Sequence, residues 1–334
     1  MPSLELAICG IPITISTSSA RLTRLFADYF QYYDPQINTS VQVSQTPLSL
    51  ELKLRRELPP RQKLIPAEAT LISQTGIARL WREAKLSGER FHFDYGVAAF
   101  RVEPAQNRAI GLITPEALQY PHILANTYTL FPLLLLLRSR SVYHLHAAAV
   151  LSPDDKLWLI CGAQRSGKTT LATALGLAGW RPISDDSMLV HFDGETPQLT
   201  ALKKYFHIAA EVLERWSGLR EITWRHQYLD RVCIEGLEFF GTRKLADTSF
   251  KQADHVLLPE ITQEKISRLA PAPPSQALLR LGEQSAFFQL WSEHTARQWK
   301  ALTILTRAAT GSHLSSASDA IASPEIVASM LAKN

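Results

Sequence analysis

Hydrophobic and polar residues alternate along much of the first third of the chain, a pattern typical of half-buried β-strands. Segments 4–8 and 11–15 each carry an apolar residue at every second position, which predicts a pair of neighbouring strands. Segments 91–102 and 109–114 are predicted to form a hairpin, closed by the polar turn 103–107.

Three segments show a helical pattern instead. Residues 21–33 have an amphipathic period and precede an Asp-Pro break, and residues 77–84 also read as a helix. A longer helix is predicted over 115–138, and it contains the apolar run Leu130–Leu137. That run is too short to span a membrane, so we expect it to be a buried helix.

Strand patterns return after Val142. Residues 143–150 and 156–161 are predicted to be paired strands, and the later strand candidates are 182–184, 188–192 and 255–259. Residues 310–318 are mostly small and polar, so we expect them to be loosely ordered. The whole chain is therefore predicted to be α/β (α+β).

Three regions follow from these elements. Residues 1–115 are predicted to form a smaller N-terminal α+β domain that serves substrate recognition or assembly, because they carry no catalytic pattern. Residues 116–141 are predicted to be a connecting helix, and residues 142–334 are predicted to be the catalytic domain.

Composition narrows the class of protein. Of the 334 residues, 46% are hydrophobic and 20% charged, which is ordinary for a globular protein, and the net charge of +4 is too small to indicate a nucleic-acid or membrane partner. The three cysteines form no CxxC pair, so neither a zinc site nor a disulfide framework is expected. With no signal-peptide pattern at the N-terminus, we expect a soluble cytoplasmic protein.

The strongest chemical signal is a glycine-rich loop between a predicted strand and a predicted helix. Its residues are Gly162, Ala163, Gln164, Arg165, Ser166, Gly167, Lys168 and Thr169, followed by Thr170. This spacing is that of a phosphate-binding P-loop, in which consecutive backbone N–H groups and a helix N-terminus hold phosphate oxygens. Lys168 is then expected to reach the β- and γ-phosphates of ATP, and the Thr169 hydroxyl is expected to bind Mg²⁺.

Acidic residues follow the loop at a short distance. Asp185 and Asp186 end the strand predicted at 182–184, which we expect to lie beside the P-loop strand. Adjacent strand residues point to opposite faces, so one aspartate is expected to face the γ-phosphate and metal while the other anchors the loop or a water. A histidine near an apolar run is more often a core residue, and this applies to His144, His146 and His207.

These motifs together resemble the catalytic domain of the HPr kinase/phosphorylase family. The resemblance covers residues 142–192, from the histidine of His146-Ala147-Ala148-Ala149-Val150 through the loop to Ser184-Asp185-Asp186. It is strongest to the shorter relatives, some of which phosphorylate ribosomally made precursor peptides. It implies the P-loop fold shared with phosphoenolpyruvate carboxykinases.

The resemblance also implies roles for individual residues. The family's catalytic histidine matches His146, its P-loop lysine matches Lys168, and its general base matches Asp186 with Asp185 beside it. A basic residue of a late loop matches Lys265 or Arg268. The implied activity is ATP-dependent transfer of a phosphoryl group to a serine or threonine hydroxyl of a peptide or small protein. Relatives are often oligomeric, which leaves a homo-oligomer as an open expectation.

The chain departs from the family at one motif. The family's Glu-Ile-Arg-Gly-Leu-Gly signature, which supplies a metal-binding glutamate, is missing, and Glu211 or Glu235 is the nearest substitute beside Thr169 and Asp185. We therefore do not expect the reverse phosphorylase reaction. Two alternatives stay open: a small-molecule kinase, and a non-catalytic protein gated by nucleotide, which can dispense with Asp186.

Overall fold

The computed structural model describes residues 2–30, 46–86, 88–202, 205–215, 226–228, 231–235, 249–250, 252–290 and 292–333, with the backbone alone at 205, 215, 226–228, 235, 249 and 321–322. The chain divides into two compact units, Met1–Val142 and Tyr143–Asn334, which we call the N-terminal and C-terminal units. The stretch 116–141 thus belongs to the N-terminal unit. No helix in the described ranges is long and apolar enough to cross a membrane.

An eight-stranded sheet forms the N-terminal unit, in the order β1-β2-β3-β8-β7-β6-β5-β4. The predicted pair at the start of the chain is confirmed as an antiparallel hairpin, and the pairing of β7 with β8 is also as predicted. The strands are β1 (Ser3–Ile8), β2 (Ile11–Thr17), β3 (Leu48–Leu54), β4 (Thr70–Thr75), β5 (Ala78–Lys85), β6 (Gly88–Asp94), β7 (Ala98–Glu103) and β8 (Arg108–Ile113).

Helices cover one face of this sheet because that face is apolar. The buried positions of β2 are its odd-numbered residues, including Ile13 and Ile15, whereas Thr14 and Ser16 face the other way. The first helix is amphipathic, and its apolar side, which includes Leu22 and Phe26, is buried. The helices are α1 (Ala20–Phe30), α2 (Arg61–Leu64), α3 (Pro121–Ile123) and α4 (Leu130–Arg138).

The central sheet of the C-terminal unit has six strands in the order β12-β10-β11-β19-β21-β20. Strand β10 is antiparallel to both β11 and β12, while β19 is parallel to both β11 and β21. These strands are β10 (Ala147–Leu151), β11 (Leu157–Cys161), β12 (Arg181–Ser184), β19 (His255–Ile261), β20 (Arg268–Pro271) and β21 (Thr310–Ser316).

Two smaller sheets and six helices complete the described part of this unit. One sheet has the order β18-β14-β13-β9 and the other β15-β17-β16. Their strands are β9 (Val142–Leu145), β13 (Met188–Phe192), β14 (Pro197–Ala201), β15 (Tyr205–Ala209), β16 (His226–Tyr228), β17 (Arg231–Glu235) and β18 (Ser249–Phe250). The helices are α5 (Lys168–Leu177), α6 (Ala210–Arg215), α7 (Pro274–Glu283), α8 (Glu293–Ala308), α9 (Ser318–Ala322) and α10 (Pro324–Leu331).

Both faces of the six-stranded sheet are buried. In β11, Leu157, Leu159 and Cys161 pack into one core cluster, whereas Trp158 and Ile160 pack into the other. The second cluster also contains residues of α5, α10, β15 and β17. Strands buried on both faces are continuously apolar, which explains the uninterrupted run in β11. The mixed α/β class predicted from the sequence is confirmed.

The structure corrects two helix predictions. Residues 78–85 form strand β5, which pairs with both β4 and β6, so sheet pairing overrides the local helical pattern. The helix predicted over 115–138 is divided, because α3 passes into a π-helical segment, Leu124–Thr129, before α4 begins. The apolar run within α4 is buried, as predicted.

Two strand-level predictions were also wrong. The single strand predicted over 143–150 is two strands, β9 and β10, which belong to different sheets and meet at His146. The segment predicted to be loose, 310–318, forms β21 between β19 and β20. A Cβ at Gly311 would lie 2.4 Å from the Ala272 carbonyl oxygen, so a small residue is needed for this close approach.

Candidate active site

The candidate site lies at one edge of the six-stranded sheet. Because β11 and β12 both pair antiparallel with β10, they run in the same direction and end at the edge where β10 begins. Strand β19 is parallel to β11 and ends at this edge as well. The glycine-rich loop after β11, the Asp185-Asp186 pair after β12 and His146 before β10 therefore share one edge of the sheet.

The glycine-rich loop is tightly wound between β11 and α5. Arg165 has φ 66°, a left-handed value that is uncommon for a residue with a side chain, and Gly167 has φ 90°. A Cβ at Gly162 would lie 2.5 Å from Ser166 Oγ and 3.2 Å from the Pro259 carbonyl oxygen. Gly162 is therefore required by the close return of the loop against β19.

The loop leaves polar groups available at the start of α5. Within the described ranges, the N–H groups of Lys168, Thr169 and Thr170 donate to no other backbone group, as expected for the first turn of a helix. Ser166 Oγ is buried and has no hydrogen-bond partner among the described residues. N–H donors and an unsatisfied hydroxyl at a helix N-terminus fit an oxyanion such as a phosphate.

The Lys168 side chain folds back over the loop. Its ammonium group donates hydrogen bonds to the carbonyl oxygens of Gly162 at 2.8 Å and Ala163 at 3.0 Å. Burial lowers the pKa of Lys168 below its ordinary value, and the negative charges of Asp186 and Asp185 oppose that shift. The lysine thus lies in the electrostatic field of both aspartates while it is attached to the loop.

Serine hydroxyls hold the turn that carries the two aspartates. Ser184 Oγ accepts the N–H of Ser187 and donates to its carbonyl oxygen, both at 3.0 Å. His144 Nε2 lies 2.6 Å from Ser187 Oγ. His144 therefore contacts the turn that carries the two aspartates.

The two aspartates differ in environment. Asp185 is fully buried, and its Oδ2 accepts the backbone N–H of His207 at 2.9 Å, which anchors β15 to the turn. Asp185 Oδ1 is buried and has no hydrogen-bond partner in the described structure. Asp186 is half-buried. Asp185 therefore anchors β15, whereas the catalytic role expected of one of the two aspartates stays a prediction.

His207 joins the aspartates from β15. Its Nδ1 lies 3.7 Å from Asp185 Oδ2. Although burial opposes the charged ring, Asp185 and a hydrogen bond with Cys233 raise the pKa of His207 to about 10. Asp185, Asp186 and His207 each offer one ligand atom, and these atoms lie within 4.8 Å of one another. An imidazole binds a metal only after it has lost its ring proton, and this set of oxygen and neutral nitrogen donors then fits a divalent cation.

The structure places the other predicted residues as follows. His146 is half-buried, and its backbone N–H donates to the Gln284 carbonyl oxygen at 2.8 Å. Thr169 is half-buried in the first turn of α5. Ala163, Gln164 and Arg165 are exposed at the tip of the loop. Their functional roles remain predictions.

One expectation needs correction, and the positions of three further candidates are as follows. Strand β12 does not lie beside β11, because β10 pairs with both and separates them. Glu211 is exposed on α6 and is not part of the group formed by Asp185, Asp186 and His207. Arg268 lies on β20, where it is paired with Glu264 at 3.6 Å. The side chain of Glu235 lies outside the described residues.

Sequence reasoning missed two residues of this site. His207 was treated as a core histidine, yet the buried neighbours Phe206 and Ile208 occupy the other face of β15. Arg231 on β17 donates to the His207 carbonyl oxygen at 3.4 Å, and its charge adds to the lowering of the Lys168 pKa. Alternation in Phe206-His207-Ile208 was the available signal for His207, whereas Arg231 had no local signal.

Comparison with known proteins gives little further information. No protein-family model and no curated protein matches the chain. Among solved structures, the HPr(Ser) kinase/phosphatase from Coxiella burnetii is similar with a TM-score of 0.30 and 11% identity, over 57% of this chain and 94% of that chain. At this TM-score the similarity carries no argument, so function must be argued from the site itself.

Proposed function

We propose that this protein is an ATP-dependent kinase that transfers the γ-phosphoryl group to a serine or threonine hydroxyl of a peptide or small protein. The observation that carries the proposal is the meeting, at one sheet edge, of a glycine-rich loop at a helix N-terminus and a pair of aspartates, of which Asp185 is buried and Asp186 half-buried. Phosphoryl transfer needs held phosphates, neutralised charge and an oriented nucleophile, and these groups suit those three tasks.

The loop and two cations bind the triphosphate. The N–H groups at the start of α5 donate to phosphate oxygens, and Lys168 leaves its two carbonyl partners to reach the β- and γ-phosphates. Arg231, which donates to the His207 carbonyl oxygen at 3.4 Å and helps to lower the pKa of Lys168, supplies a second positive charge in this part of the site. Thr169 and Asp185 would hold Mg²⁺, which would supply positive charge to neutralise the phosphates.

Asp186 acts as the general base. It accepts the proton of the acceptor hydroxyl while that oxygen forms a bond to the γ-phosphorus and the bond to the β-phosphate oxygen breaks, which releases ADP. Asp186 suits this role better than Asp185, because Asp185 is fully buried and already accepts the His207 N–H. His146, at the same edge, supports the phosphate or Asp186.

The test is incubation of the protein with ATP, Mg²⁺ and candidate peptides encoded by neighbouring genes, followed by mass spectrometry. We expect the gain of one phosphoryl group on a serine or threonine. Asp186→Asn is expected to slow the transfer by about 10²- to 10⁴-fold while ATP affinity is retained. Asp193→Asn is the matched control, because Asp193 caps an exposed turn by accepting the N–H groups of Glu195 and Thr196.

The outcomes separate the competing functions. Equal transfer by the wild type and Asp186→Asn would show that the base is assigned wrongly. Transfer to small alcohols or sugars alone would favour a small-molecule kinase. ATP binding without transfer to any acceptor would favour a protein that is gated by nucleotide.

A further inference from the structure

Three side chains converge behind the nucleotide site from two separate elements. Asp185 and Asp186 follow β12, and His207 lies on β15. Their ligand atoms lie within 4.8 Å of one another. Neighbouring oxygen ligands of an octahedral Mg²⁺ ion are about 3 Å apart and opposite ones about 4.2 Å, so these atoms must move closer together to bind one ion.

A second observation, the environment of the Asp185 carboxylate, also favours a cation at this position. Asp185 is fully buried, yet its Oδ1 has no hydrogen-bond partner among the described residues. A buried carboxylate oxygen without a partner is unfavourable, and a bound cation satisfies it. The other oxygen is held by the His207 N–H at 2.9 Å, which fixes the direction of the carboxylate.

The imidazole of His207 is also held in place. Strand pairing puts His207 opposite Cys233, and interaction with the Cys233 side chain is among the causes that raise the His207 pKa. A second hydrogen bond on a metal-binding histidine orients its ring and is a general feature of metal sites. The site therefore has three donors and an orienting group behind the nitrogen donor.

We propose that Asp185, Asp186 and His207 bind a divalent transition-metal ion in the absence of nucleotide, and that His207 gives the site a preference for Mn²⁺ or Zn²⁺ over Mg²⁺. Carboxylate oxygens alone suit Mg²⁺, whereas an imidazole nitrogen favours transition metals. A carboxylate can bind an ion through one oxygen, so metal binding by Asp186 is compatible with proton acceptance by its other oxygen. The inference deepens the proposed function at the same site, but metal binding itself does not depend on phosphoryl transfer.

The test uses the full chain, stripped of metal with a chelator and titrated with MnCl₂ without nucleotide or acceptor. Electron paramagnetic resonance measures the free Mn²⁺ that remains. We expect one Mn²⁺ to bind per chain, and echo-detected spectra of the bound ion to show coupling to a ¹⁴N nucleus of imidazole. That coupling reports an imidazole ligand in the wild type, and the variants below test whether the ligand is His207.

Variants then assign the ligands. His207→Gln is expected to weaken Mn²⁺ binding at least 10-fold and to remove the ¹⁴N coupling. His207→Asp restores three donors with oxygen alone, so it is expected to reduce the preference for Mn²⁺ over Mg²⁺. His313→Gln is the matched control, because His313 is a histidine of the same unit paired with a carboxylate, Glu260, at 3.2 Å.

Two results would overturn the proposal: bound Mn²⁺ without nitrogen coupling, and Mn²⁺ binding that appears only when ATP is added. Neither result bears on the kinase assay in Mg²⁺, which tests the proposed function separately. Conversely, Mn²⁺ binding by His207 without phosphoryl transfer would support the proposed metal site and contradict the proposed kinase function.

Discussion

Both units of this protein bury charged groups, but they satisfy them in different ways. On the polar face of the N-terminal sheet, Glu83 is 1% exposed and is paired with Lys85, Arg90 and His92. Arg90 in turn holds Glu103 at 2.7 Å. At the sheet edge of the C-terminal unit, Asp185 is equally buried, and its Oδ1 has no hydrogen-bond partner in the described structure. The Oε1 of Glu83 has no hydrogen-bond partner there either, but it forms an ion pair with Lys85.

This difference separates two uses of a buried charge. In the N-terminal sheet, Glu83 lies opposite Arg90 on the next strand, Glu103 lies opposite Arg108, and Arg108 lies opposite Ser49; we call these five residues the polar row. Arg90 also pairs with Glu103, so each charged residue of the row has a neighbour of opposite charge. Such a network contributes to a unique fold and needs no ligand. The carboxylate of Asp185 has no such row of charged neighbours in the described structure, which is compatible with the cation proposed above.

Lys168→Met gives the largest expected effect and tests the functional side of this comparison. We expect phosphoryl transfer to fall by about 10²- to 10³-fold, since the variant removes a charge aimed at the transferred phosphate. The free energy of unfolding should not decrease, because a buried charge is removed. Lys156→Met, which removes an exposed lysine of the same unit, is the control. Transfer kinetics and urea unfolding measure the two effects, and unchanged transfer would contradict the role of Lys168.

Gly162→Ala tests whether the tight loop is required. The new Cβ would lie 2.5 Å from Ser166 Oγ, so the loop must shift. We expect ATP affinity to fall by about 10-fold, equivalent to about 1.4 kcal/mol, as measured by calorimetry. In the double variant with Ser166→Ala the closest contact is removed, and we expect partial recovery. Additive losses in the double variant would show that the clash is not the cause.

Glu83→Gln tests the structural side. We expect it to lower the free energy of unfolding by about 1–3 kcal/mol, because Lys85, Arg90 and His92 lose a buried charged partner. ATP affinity and transfer should be unchanged. Glu89→Gln, at an exposed ion pair with Arg82, should have no measurable effect on stability. A loss of ATP affinity in Glu83→Gln would mean that the polar row serves the site.

The ionisation of Glu83 also predicts how the stability of the protein depends on pH. Although burial opposes it, interactions with Lys85 and His92 lower the pKa of Glu83 below its ordinary value. Because its pKa is lowered in the folded state, ionised Glu83 stabilises the fold fully at pH values above its pKa in the unfolded chain, about 4.3. That stabilisation is lost as the pH falls through the folded-state pKa. The difference in urea midpoint between wild type and Glu83→Gln should therefore shrink as the pH is lowered below 4.3.

Ser184→Ala gives the smallest expected effect and probes the turn that holds the aspartates. It removes two hydrogen bonds to the backbone of Ser187. We expect a loss of about 1 kcal/mol in unfolding free energy and a few-fold decrease in the rate of transfer, with ATP affinity unchanged. Ser3→Ala, at an exposed position of β1, is the control. An equal loss of ATP affinity would show that Ser184 acts on the loop as well.

Local patterns predicted much of the C-terminal unit. The strand, loop and helix around Lys168 follow one another in the chain, so their alternation and glycine spacing were sufficient to identify them. Strands β12, β13 and β19 were predicted for the same reason. The misassigned segments, β5 and β21, have weak local patterns, and pairing with strands on both sides holds them in their sheet.

The sequence by itself determined the glycine-rich loop, because its residues are consecutive in the chain and the helix begins directly after them. It also determined that two aspartates end the next strand. Only the tertiary structure decided that Asp185 is buried and anchors β15, and that His207 and Arg231 join it. Those contacts depend on β15 and β17 returning to the edge of the central sheet, and no local spacing encodes that return.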